Sequence, residues 1–71
     1  MLEEEDLPAK VREVFQKKVP GARVLEFERA VTGEGKAEKV IYEIIIDKGK
    51  VELELQFDPE GKLVAEEEKK E

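Results

Sequence analysis

The stretch KVIYEIIIDKGKVELELQFD, Lys39 to Asp58, decides the fold. Reading outward from Lys48-Gly49, apolar and polar residues alternate in both directions, which is the period of a strand with one buried face. A two-residue turn at Lys48 and Gly49 pairs the flanks as an antiparallel hairpin. Ile46 then faces Val51, Ile44 faces Leu53, Tyr42 faces Leu55 and Val40 faces Phe57, and every one of these pairs is apolar. The opposite face carries Asp47 with Lys50, Ile45 with Glu52, Glu43 with Glu54, Ile41 with Gln56 and Lys39 with Asp58. A slip by one residue would destroy this segregation, so the register is well specified.

The apolar face needs a cover, and the residues before the hairpin supply it. Leu7, Val11, Val14, Phe15 and Val19 form one stripe at helical spacing, with Lys10, Arg12, Glu13, Gln16 and Lys17 around the other side. Pro8 suits the first helical position, and Pro20-Gly21 ends the helix, which is predicted over about residues 8–18. Ala22 to Thr32 reads as a strand with imperfect alternation, because Val24 and Phe27 differ in parity. Either Leu25 and Phe27 share the core face, or a bulge between them turns both Val24 and Phe27 inward. Thr32 to Ala37, with Gly33 and Gly35, reads as a flexible loop. Asp58-Pro59-Glu60-Gly61 is a strong turn signal, and Lys62 to about Glu67 returns as a fourth strand. Residues 1–6 are an acidic lead-in, and Glu68 to Glu71 are expected to fray. The expected fold class is α+β: one domain over residues 1–71, ordered from about 7 to 67, with an N-terminal helix on a four-stranded antiparallel meander, α-β-β-β-β.

Several function classes are disfavoured by composition. The formal net charge is −6, and no stretch gathers Lys and Arg with interleaved aromatics, so no nucleic-acid partner is expected. Lys17-Lys18 sits where the helix ends and complements its dipole. The longest apolar run, Ile44-Ile45-Ile46, is far too short to cross a membrane. The chain contains no Ser, Asn, His, Cys or Trp. No triad, thiolate or imidazole site can therefore be assembled, and the reading is non-enzymatic, with no cofactor, metal or small-molecule ligand expected. Gly33-Glu34-Gly35-Lys36 lacks the spacing of a phosphate loop and reads as a hairpin connection. The missing residue types also fit an idealised, designed chain, in which helices are filled with Glu, Lys and Arg and strands with β-branched residues. Such a scaffold would be thermostable and carry no evolved activity.

A second reading comes from a resemblance. Leu7-Pro8, Val11, Phe15 and Pro20-Gly21-Ala22-Arg23-Val24, then Tyr42-Glu43-Ile44, then Asp58-Pro59-Glu60-Gly61-Lys62-Leu63, together resemble the PepSY-like domains. The likeness spans about residues 7–67 and rests on turns and core positions. It implies a helix on an antiparallel sheet, usually in exported bacterial proteins. Related PepSY domains occur in metallopeptidase propeptides and are thought to bind or restrain proteases. The chain departs from that pattern in having no signal-peptide pattern after Met1 and in placing Ile41 and Ile45 on the face that should be polar. Location is therefore open: cytoplasmic as expressed, extracytoplasmic if this is a mature domain of that kind. Cystatin-like inhibitors also lay a helix across a sheet, but their Gln-x-Val-x-Gly hairpin is absent.

Two surface features remain. If Asp58 pairs with Lys62, then Glu43, Glu54 and Glu66 form a row across three strands. Such a row could hold a hard cation, but a flat face supplies few converging oxygens, and a solvated surface is the preferred reading. The second feature is apolar. Ile41 and Ile45, with Gln56 and Val64, form the candidate partner surface on the open sheet face, suited to a protein partner or a weak homodimer. The alternative is that these are surface residues serving strand propensity alone. Leu25 could join the strip, and Leu2 and the tail could fold over it.

Overall fold

A computed structural model describes residues 2–70. Its elements run in the order α1 (Ala9–Lys18), β1 (Arg23–Thr32), β2 (Lys39–Asp47), β3 (Val51–Phe57) and β4 (Leu63–Lys70). The four strands form one antiparallel sheet in the order β1-β2-β3-β4. The fold is therefore α+β, α-β-β-β-β, with the helix across one face.

Pro8 stands one position earlier than expected. It caps the helix in an extended conformation (φ −55°, ψ 145°), and Arg12 donates its N–H to the Pro8 carbonyl. The stripe buries Leu7, Val11 and Phe15, each 3% exposed or less, but Val14 is 37% exposed and lies at its margin. Beneath them sit Ile44, Ile46, Leu53, Leu55 and Phe57, with Val24, Phe27, Tyr42 and Leu63 packed around the cluster. Phe15 meets Phe27 edge to face at 6.2 Å between ring centres, the geometry that aromatic quadrupoles favour. All buried side chains among the described residues are apolar.

In β1 the bulge alternative is the one realised. Val24 pairs with Ile46 and Phe27 with Ile44, and the register shifts between Val24 and Glu26. One extra residue there restores the parity of Val24 and Phe27, and it leaves Leu25 43% exposed.

The central hairpin keeps its faces but not its partners. Ile46 pairs with Leu53, Ile44 with Leu55 and Tyr42 with Phe57, a shift of two residues from the expected pairing. The turn is centred on Gly49-Lys50 instead of Lys48-Gly49, with Lys48 N–H bonded to the Val51 carbonyl. Gly49 has φ +96°, as a glycine at the first central position of a two-residue hairpin allows, and its N–H is held by the Asp47 carboxylate at 2.8 Å. A shift of two preserves side-chain parity, so alternation alone could not distinguish the two registers.

Three other expectations change. Gly35–Ala37 within the supposed loop winds into a short 3₁₀ turn. The tail does not fray within the described residues: Glu68 pairs with Leu53, Lys69 with Glu52 and Lys70 with Val51, while Glu71 lies outside them. Leu2 packs against the core cluster and not over the open face. A 3₁₀ turn at Glu4–Asp6, closed by the Glu3 N–H donating to the Asp6 carboxylate at 2.9 Å, brings it there.

Candidate functional site

The open sheet face displays Ala30, Glu28 and Glu26 from β1, then Ile41, Glu43, Ile45 and Asp47 from β2, with Glu52, Glu54 and Gln56 from β3. Each position follows from the pleat, since residues two apart share a face. On β4 a bulge intervenes. Phe57 pairs with Leu63 but Gln56 pairs with Ala65, so Val64 is the extra residue. Beyond the bulge the parity of β4 is reversed relative to an unbroken hairpin.

That bulge overturns the expected acidic row. Glu66 stands opposite Leu55 on the helix face, where it pairs with Lys18 at 3.2 Å. Glu67 takes its place beside Glu54 on the open face. Among the described residues no group of three or more acidic side chains is placed to hold a metal ion. The turn signal at Asp58-Pro59-Glu60-Gly61 gave no warning of the extra residue, because Val64 and Ala65 both suit an ordinary strand.

The carboxylates that do meet are Glu28 with Glu43, directly opposite, and Glu54 with Glu67, directly opposite. Glu43 and Glu54 are diagonal neighbours, two positions out of register across β2 and β3, since Glu43 pairs with Gln56 and Glu54 with Ile45. The Glu43 carboxyl is pushed up to about 7, chiefly by a hydrogen bond with Glu54, then by burial and the charges of Glu54 and Glu28. Glu54 is held below the ordinary range by the same bond, in which it is the accepting carboxylate, and by Lys69. Lys69 lies 3.5 Å from Glu54. Glu26 is raised by its hydrogen bond with Glu28 and by that neighbour's charge. Sequence alternation places these acids on one face, and the expected register already sets Glu43 opposite Glu54; the two-residue shift makes them diagonal neighbours instead.

The four residues of the candidate partner surface are not brought together as one strip. Ile45 stands between Glu26 and Glu54, so its apolar surface is fenced by carboxylates on both neighbouring strands. Gln56 lies between Glu43 and Ala65. Ile41 and Val64 do converge: with Val40, Pro59, Glu38, Lys39 and Asp58 they line a shallow depression of about 590 Å³. Leu25 projects from the β1 bulge, away from that depression. No helix among the described residues is long and apolar enough to cross a membrane.

Comparison of the chain with protein-family models, with curated proteins and with solved structures gives no match in any of the three.

Proposed function

We propose that the chain is a non-enzymatic scaffold domain, an idealised or designed α+β unit without an evolved biochemical activity. The observation that carries this reading is the agreement between levels of the sequence. Apolar residues fill the helix-facing positions of β2 and β3, and no buried side-chain polar atom among the described residues lacks a partner. Glycines stand where the backbone turns through positive φ at residues 49 and 61. Such consistency is the criterion by which a sequence specifies one structure. The residue types that ordinarily build catalytic sites, Ser, Cys and His, do not occur. Thermal unfolding followed by circular dichroism tests the reading: a melting temperature above about 90 °C, the threshold of hyperstability, is expected. Melting in the range of ordinary mesophile domains, together with a specific saturable partner, would overturn it.

A second reading has its own observation. In the depression that Ile41 and Val64 line with Val40 and Pro59, beside Glu38, Lys39 and Asp58, two apolar side chains of the candidate partner surface come together. This suits a PepSY-like protein-binding module that grips an apolar side chain of a protease or another exported partner. Inhibition assays on metallopeptidases, with Ile41→Lys as the control, test it. Inhibition that disappears in the variant supports the reading, and no inhibition by either protein removes it.

A further inference from the structure

We propose that β4 is a homotypic docking edge: two copies of the chain join by antiparallel pairing of their β4 strands, centred on Glu68. β4 is an edge of the sheet, so among the described residues no strand lies beside its outer N–H and C=O groups. Residues 65–70 are all exposed. An edge of this length is a template for another strand unless something blunts it.

The other edge is blunted. β1 carries its bulge at Leu25, and the N-terminal segment brings Leu2 up to Glu26, Phe27, Glu28 and Arg29. The bulge of β4 lies at its start, between Leu63 and Ala65, and leaves residues 65–70 regular.

The occupant is fixed by charge. The sequence of β4 from residue 66 is Glu-Glu-Glu-Lys-Lys. Two antiparallel copies related by a two-fold axis perpendicular to the sheet keep side-chain faces matched only when one residue stands opposite its own copy across that axis. Centring on Glu68 sets Glu66 against Lys70 of the second copy and Glu67 against its Lys69, and the symmetry repeats both pairs. Four opposite-charge pairs result, against a single like pair at the axis. Centring on Glu67 would instead set Glu66 against Glu68 twice. Opposite charges directly across a strand pair are favourable and like charges unfavourable. The register is thus selected as well as permitted. Its product is an eight-stranded sheet with both helices on one side. Glu67 and Lys69 meet on the open face, where Lys69 already approaches Glu54 at 3.5 Å.

Sedimentation equilibrium at 0.15 M salt, from micromolar to millimolar protein, is the test. The expected result is a concentration-dependent dimer in the native chain. Glu66→Lys with Glu67→Lys, and separately Lys69→Glu with Lys70→Glu, should each weaken it at least tenfold, since every pair becomes repulsive. Mixing the two variants should restore association, because their edges are again complementary. A variant-free measurement guards against misfolding of either double mutant. Hydrogen exchange of β4 amides in the native chain should slow as concentration rises, while that of β1 amides should not. A native chain that stays monomeric at millimolar concentration overturns the proposal. So does a dimer unaffected by both charge reversals, or one lost instead on Ile45→Lys.

Discussion

Gly61 lies directly against the Lys10 carbonyl: a side-chain carbon at position 61 would come within 2.7 Å of that oxygen. The β3–β4 turn is thereby seated on the first turn of the helix, and the ion pair of Lys10 with Glu60 at 3.1 Å closes over the contact. Gly61 also holds φ +87°. Gly61→Ala should therefore suffer twice, from backbone strain and from a collision with backbone that cannot swing aside. The expected loss is about 2–3 kcal/mol. Gly49→Ala has the strain (φ +96°) but no atom within 4 Å, and should lose only about 1 kcal/mol. Urea denaturation of the two variants checks the order, and equal losses would mean that the turn does not rest on the helix.

The two faces of β3 should respond oppositely to charge. Leu53 is 5% exposed, beneath the helix, and Leu53→Asp should unfold the domain, because a buried unpaired carboxylate costs several kcal/mol. Glu52→Lys, on the open face between Asp47 and Lys69, should change stability by roughly 0.5 kcal/mol or less. Similar tolerance at both sites, read by circular dichroism, would contradict the helix placement.

Within β1 the bulge makes adjacent positions unequal. Leu25→Asp should be tolerated within about 0.5 kcal/mol, since Leu25 projects from the bulge into solvent. Phe27→Ala should lose about 3 kcal/mol, as its ring packs on Phe15. Thermal melts of both variants provide the measurement.

Stability should depend on pH through Glu43. Its folded pKa, about 7, lies above the ordinary value of 4.5. The folded state therefore holds this proton more tightly, and the contribution is fully present below about pH 4.5. It is lost as pH rises through about 7. Glu54 acts in the opposite sense, since its depressed pKa gives a contribution lost as pH falls below its ordinary range. Glu43→Gln keeps a donor towards Glu54 without the titration. At pH 8 it should be more stable than the parent by about 0.5 kcal/mol, the scale of exposed charge interactions, and near pH 4.5 the two should match. Urea midpoints from pH 4.5 to 8.5 decide this, and parallel curves would show that Glu43 titrates normally.

Much of this fold is legible because alternation is a parity signal. Lys39 to Asp58 reveals which residues face the helix, and every buried residue of β2 and β3 is on the expected face. Parity is blind to shifts of two, so the register around Gly49 required the Asp47 carboxylate's hold on the Gly49 amide to be seen. Bulges are legible only where they rescue an apolar residue. Val24 and Phe27 betray the one in β1, whereas Val64-Ala65-Glu66 reads equally well straight. The open face was legible as acidic with scattered isoleucines. The place of Ile45 beside Glu26 and the meeting of Ile41 with Val64 depended on the two bulges, and so lay beyond the pattern.

The strand order β1-β2-β3-β4 has a consequence for how the chain reaches its structure. Each strand pairs only with the one before or after it in sequence, so every hairpin closes a short loop. Short loops close rapidly and at small entropic cost, and such meanders assemble quickly for β-rich proteins. The exception is the helix, whose Val11 and Phe15 must find Leu53, Leu55 and Phe57 some forty residues away. Zipping of the sheet can run locally, but its apolar face stays wet until that long-range docking occurs. The docking of α1 therefore closes the longest-range contacts of the fold, and Gly61 beneath Lys10 is a contact that exists only once it is complete.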